Sequence, residues 1–93
     1  MSEEIRIQIV VGNEEGLHAR PAAQLVQALR NLNCKVRLSN NPAEEVDGKS
    51  ILGVMMLGAE RGARLNVRAS GPDAQRAVDE ISRILEDQRG AGP

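Results

Sequence analysis

Gly16-Leu17-His18-Ala19-Arg20-Pro21-Ala22 separates two runs of different period. Upstream, Ile5, Ile7, Ile9 and Val11 alternate with Arg6, Gln8 and Val10, the period of two expected of a strand with one buried face. Downstream, Ala22, Leu25, Val26 and Leu29 recur at helical spacing. The stretch therefore turns a strand into a helix, with His18 at or near the N-cap and Ala19 and Arg20 in the first turn. Gly16 lets the chain turn tightly before it. With His18 as the cap, Pro21 is the third helical residue. Its missing N–H has no intrahelical partner to lose, and the carbonyl its ring would strike belongs to Leu17, outside the helix.

His18 is the only histidine of the chain. A helix start offers free N–H groups, here those of Ala19, Arg20 and Ala22, and roughly half a positive charge, so it favours phosphate. Arg20 adds a cation that can fork onto phosphate oxygens. The same dipole disfavours imidazolium and keeps the ring neutral and nucleophilic. A nucleophile and an anion cradle thus meet, which suits reversible phosphorylation of the ring. Position alone also fits a plain surface cap whose ring packs on its neighbours.

Working outward, the first helix is expected to run to about Asn31. Lys35 to Asn40 alternates again with Val36 and Leu38 inward, Asn40-Asn41-Pro42 has turn chemistry, and a weaker strand from Ala43 to Val46 completes a hairpin. Asp47-Gly48 is a second turn. Ser50 to Leu57 is short and mostly apolar; Gly58 after it marks a stop, so a short helix capped near Lys49-Ser50 is expected. Leu65, Val67 and Ala69 alternate with Arg64, Asn66 and Arg68 in a fourth strand. Gly71-Pro72-Asp73 is expected to open the last helix, with Pro72 and Asp73 in its first turn. Its buried stripe is Ala74, Ala77, Val78, Ile81, Ile84 and Leu85. The order βαββαβα with half-apolar strands predicts a two-layer α/β open sandwich, one antiparallel sheet covered on one face by three helices. The 93 residues make one domain, taken as 1–88 with a frayed tail at 89–93.

Composition narrows the function classes. Charge is nearly balanced at −1, which argues against a nucleic-acid or membrane footprint, and with no Phe, Trp or Tyr there is no base-stacking platform. No apolar run is long enough to span a bilayer, and the acidic Met1-Ser2-Glu3-Glu4 does not read as a signal peptide. The single Cys34 permits no internal disulfide and reads as a small, half-buried residue before a strand. These features suggest the cytoplasm. His18 and Cys34 cannot form a metal site alone, no cofactor is implied, and Gly58 to Gly62 lacks the spacing of a nucleotide-binding loop.

Gly-Leu-His-Ala-Arg-Pro-Ala closely resembles the active-site motif of the histidine phosphocarrier (HPr) family of the bacterial phosphoenolpyruvate-dependent phosphotransferase system. A second stretch, Asp47-Gly48-Lys49-Ser50-Ile51-Leu52-Gly53-Val54-Met55-Met56-Leu57-Gly58, is similar to the regulatory segment of family members from Gram-positive and several other bacteria. The resemblance implies sheet order 1-4-2-3. It implies a carrier, not an enzyme in its own right, that takes a phosphoryl group from phosphorylated enzyme I on His18 and passes it to IIA domains of sugar permeases. Arg20 and the Ala19 backbone N–H would stabilise the phosphoryl charge. It also implies that a dedicated kinase/phosphorylase phosphorylates Ser50. Read from its position, Ser50 is a preferred helix cap, and the two roles are compatible.

The second stretch holds more apolar residues than one buried face can use, which suggests an exposed docking patch. Carried over by position, the patch is Ala19, Arg20, Ala23, Gln24, Gln27, Ile51, Leu52 and Met55. Glu15 stands where the family often has Asn or Ser, and with Glu14 it brings negative charge near the phosphoryl site. A monomer is expected, without nucleic acid or membrane insertion. One alternative is a regulatory paralogue of the nitrogen-related branch, controlling metabolism without sugar uptake. Another class is a ferredoxin-like domain that binds a small ligand and needs no reactive histidine.

Overall fold

Four alternating runs and three amphipathic ones assemble in the expected order in a computed structural model, which describes residues 4–12, 14, 16–17, 19–41 and 44–86. The elements are β1 (Glu4–Val10), α1 (Ala19–Leu29), β2 (Lys35–Asn41), β3 (Glu44–Asp47), α2 (Ile51–Met56), β4 (Arg64–Ser70) and α3 (Ala74–Leu85). They form one four-stranded sheet in the order β1-β4-β2-β3, with every neighbouring pair antiparallel. Pro42, Ala43 and the proposed tail at 89–93 lie outside the described residues.

The strand periodicity becomes two stacked rows. On the helix-covered face Ile7 lies opposite Val67, Val67 opposite Leu38, and Leu38 opposite Val46. On the other face the adjacent row is Arg6, Arg68, Arg37 and Asp47. The central strand β4 supplies Leu65, Val67 and Ala69, all essentially without solvent contact. Over them lie Ala22, Leu25, Val26 and Leu29 of α1 and Ala74, Ala77, Val78, Ile81 and Leu85 of α3, again buried. The core is therefore aliphatic throughout, built from short branched chains that interlock at close packing.

Three local readings need correction. α1 ends at Leu29, not near Asn31; the Leu32 N–H returns to the Leu29 carbonyl at 3.1 Å in a tight turn. α3 starts at Ala74, so Pro72 and Asp73 precede it. Asp73 occupies the N-cap position but makes no side-chain cap bond; its Oδ2 accepts the Asn33 N–H at 2.7 Å instead, while the Asp73 N–H donates to the Asn33 carbonyl at 3.1 Å. The carboxylate thus ties the α1–β2 turn to the start of α3. Ile84 is half-buried and sits at the margin of the core.

The arginine row on the open face sets like charges directly opposite one another, which is unfavourable. Carboxylates on both sides relieve it. Arg68 donates from Nη2 and Nε to the two oxygens of Glu45 at 2.7 and 3.0 Å, and from Nη1 to Glu4 at 3.2 Å. Glu4 also accepts from Arg6 Nε at 2.7 Å. Hydrogen bonds from Arg6 and Arg68 hold the Glu4 carboxyl below its ordinary range, and the bond from Arg68 does so for Glu45.

These depressed values stabilise the fold above the ordinary carboxylate range, and the contribution is lost as pH falls through the folded-state values. It is small, because the groups are solvated. Urea unfolding measured between roughly pH 5 and pH 3 should show stability falling more steeply in the parent than in a Glu4→Gln, Glu45→Gln double variant. Equal slopes would show that the network contributes nothing.

Candidate functional site

The stretch that organises the sequence is held from outside by the loop between α2 and β4. Val11 donates to the Ala63 carbonyl and accepts from the Gly62 N–H, at 2.9 and 2.8 Å. Gly12 N–H reaches the Leu85 carbonyl at 2.8 Å. The Leu17 N–H then donates to the Ala59 carbonyl at 2.9 Å, with the Leu17 side chain buried in the core. Gly16 adopts φ +74°, and a Cβ there would stand 2.5 Å from the Ala59 carbonyl oxygen and 2.9 Å from Glu60 Cα. Only a residue without a side chain fits this approach.

Directly after this anchor α1 begins at Ala19. Its first turn is divided. Pro21 and Ala22 are buried, whereas Ala19 and Arg20 are exposed. Helix geometry passes through Pro21 without interruption, as the third helical position allows. Among the described residues no ion pair holds Arg20. His18 and Glu15 lie outside the described residues. Ala23 is half-buried and Gln24 and Gln27 are exposed; with Arg20 they recur at spacings of three and four, which place them along one side of the helix.

α2 packs against α1 and β3. Ser50 is its N-cap, extended at φ −112° and ψ 120°, with Oγ accepting the Gly53 N–H at 3.1 Å. Asp47 prepares this position: its Oδ1 accepts the Lys49 N–H at 2.9 Å and its carbonyl accepts the Ser50 N–H at 3.1 Å. The Lys49 ammonium donates to the Leu32 carbonyl at 2.7 Å, which ties the cap to the turn after α1. Gly58 follows the helix at φ +61°.

Only Val54 of α2 is buried. Ile51 and Met55 are exposed by about 40%, and Leu52 and Met56 by 70% or more. The apolar excess of this short run thus faces solvent on a helix that adjoins α1. Met56 was not among the expected patch residues. Its signal was present, since it stands four residues after Leu52 and shares its side of the helix.

Elsewhere, Cys34 is half-buried just before β2, where burial pushes its thiol pKa up. Among the described residues no cluster of His, Cys, Asp and Glu suits a metal ion, and no helix is long and apolar enough to cross a membrane.

The approach at Gly16 yields a comparison between two glycines. Gly16→Ala meets backbone atoms and a left-handed φ, while Gly58→Ala meets nothing within 4 Å and bears only the φ penalty. Gly58→Ala should cost about 1–2 kcal/mol and Gly16→Ala clearly more, read from urea midpoints. Equal losses would mean that the Ala59 segment yields freely and does not anchor the site.

A family model described as "PTS HPr component phosphorylation site" matches residues 5–87. The phosphocarrier protein HPr of Cupriavidus necator is 41% identical over 80 residues, covering 86% of this chain and 89% of that protein. A multiphosphoryl transfer protein of Haemophilus influenzae is 38% identical over 88 residues, 92% of this chain but 18% of that longer protein. Among solved structures, the phosphocarrier protein HPr of Bacillus anthracis superposes with TM-score 0.82 at 26% identity, covering 89% of this chain and 98% of that one. The chain belongs to the HPr family of the phosphotransferase system, a family of phosphocarriers and not of enzymes.

Proposed function

We propose that this chain carries a phosphoryl group on His18, receiving it from phosphorylated enzyme I and delivering it to IIA domains of sugar permeases in the cytoplasm. The observation that carries the proposal is the divided first turn of α1. Its Pro21-Ala22 side is locked into the core, and its Ala19-Arg20 side is open beside an anchored Leu17. His18 directly precedes this turn in the sequence; the first N–H groups of a helix have no intrahelical partner, and Arg20 supplies a fork-shaped cation. The similarity to multiphosphoryl transfer proteins supports phosphotransfer partners for this domain.

In the proposed step the neutral imidazole of His18 attacks phosphorus through Nδ1, by family analogy. The bond from phosphorus to the donor breaks, and its electron pair leaves with the donor. Arg20 and the first-turn amides, Ala19 among them, balance the charge on the phosphoryl oxygens. Positioning and charge stabilisation supply most of the rate in such transfers. Delivery to a IIA domain reverses these roles.

Docking is assigned to Ala19, Arg20, Ala23, Gln24, Gln27, Ile51, Leu52 and Met55, extended by Met56. Support comes from the exposure of all of these but the half-buried Ala23 on two adjoining helices. Ser50 is proposed as the target of an HPr kinase/phosphorylase. As a cap it already has its hydroxyl beside a backbone donor, so a phosphate there is locally tolerated. Against an apolar partner the same charge, roughly −1.5 to −2, is costly to desolvate.

Incubation with enzyme I and labelled phosphoenolpyruvate should place one acid-labile phosphate on His18, and His18→Ala should lose the label while keeping the parent's melting temperature. Acid-labile labelling that persists in the variant would overturn the assignment. Arg20→Ala should slow transfer by the equivalent of about 1–3 kcal/mol, and Arg20→Lys should regain only part. An unchanged rate in Arg20→Ala would make Arg20 a surface charge only.

Ser50→Asp should weaken enzyme I binding without lowering the melting temperature. Unchanged affinity would leave Ser50 as a cap alone, and a large fall in melting temperature would trace any lost binding to damage of the fold.

A further inference from the structure

We propose that the open face of the sheet, opposite the helices, holds a second binding site, for a small organic or inorganic anion bearing carboxylate or phosphate oxygens. The site is a shallow cavity of about 430 Å³ lined by Arg6, Gln8, Ser39, Glu45, Asn66 and Arg68. Its volume lies in the range of small-molecule sites. It shares no residue with the proposed His18 site or with the docking helices, so it stands or falls independently of the carrier reading.

Two observations point to a ligand. The first is Ser39. Alternation along β2 places it on the solvent face, yet it is only 3% exposed, the one buried polar side chain among the described residues. Its backbone lies in the ladder opposite Asn66, and its hydroxyl has no hydrogen-bond partner among the described residues. A buried hydroxyl at the base of a cavity asks for a polar partner.

The second observation is the balance of donors and acceptors around it. Each oxygen of Glu45 and of Glu4 already takes an N–H from Arg68 or Arg6. Asn66 Oδ1 accepts from Gln8 Nε2 at 3.2 Å. The groups left over are mostly donors: both Nη of Arg6, Nδ2 of Asn66 and the Ser39 hydroxyl. Arg37 lies opposite Asp47, so Glu4, Glu45 and Asp47 match the three arginines of the row, and the excess positive charge of this face comes from Lys35 and Arg64, which alternation along β2 and β4 places on the same side. An acceptor-rich, negatively charged group meets this set.

The test is an NMR titration of the isotope-labelled full chain at constant pH and ionic strength. Citrate supplies carboxylate, inorganic phosphate supplies phosphate, and glucose is the neutral control. Saturable shifts are expected at the amides of Gln8, Ser39, Asn66 and Arg68 with citrate, phosphate or both, and not with glucose. Arg6→Gln, which removes the guanidinium and its charge, and Ser39→Ala, which removes the hydroxyl, should each weaken that binding by about tenfold or more. Spectra that coincide with the parent's away from these strands verify the fold of each variant. The proposal is overturned if neither anion gives saturable shifts, if shifts are confined to the first turn of α1, or if both variants bind like the parent.

Discussion

Val67 is packed between Ile7 on one neighbouring strand and Leu38 on the other, and Leu38 in turn faces Val46. This row crosses the whole sheet, and β4 is the strand that joins its two halves. Because β4 enters between β1 and β2 after both have been made, its pairing is non-local, and the loop that delivers it from α2 must span the end of the sheet. That loop is the segment around Ala59 that receives the Leu17 N–H and crowds Gly16. The packing that closes the core thus also fixes the backbone that leads into α1.

The absence of aromatic residues shapes how this is achieved. Large rings bury much area per residue; here the same task falls to many short aliphatic chains distributed over β4, α1 and α3. The apolar residues of α2 take little part, since Val54 alone enters the core. A six-residue helix that spent all its apolar side chains inward would bury more, so exposing Ile51, Leu52, Met55 and Met56 is unfavourable in the isolated chain, and the proposed docking role would offset that cost. The cap at Ser50, the Asp47 turn before it and the Lys49 tie to Leu32 hold this exposed helix in place.

The two faces of the sheet divide the labour. The covered face is dry and aliphatic. The other carries a row of three arginines compensated by flanking carboxylates, and it buries a serine where alternation alone places a solvated residue. A chain of nearly balanced overall charge therefore presents a locally structured charge pattern that composition does not disclose.

Periodicity in the sequence determined the elements, their order and their inward faces, because amphipathic period is a local property of residues two, three or four apart. The Gly-Leu-His-Ala-Arg-Pro-Ala stretch and the Ser50 segment determined the family and the candidate residues, and Ser50 was legible as a cap because capping is local as well. The tertiary structure alone decided the rest. Asp73 reads locally as the first turn of a helix, yet its carboxylate is spent on Asn33, forty positions away in the chain. Gly16 is required by the Ala59 carbonyl, and Arg6, Arg68 and Arg37 become one row only when the strands take their register. Each depends on groups far apart in the chain, and no local pattern records which distant backbone or charge a residue will meet.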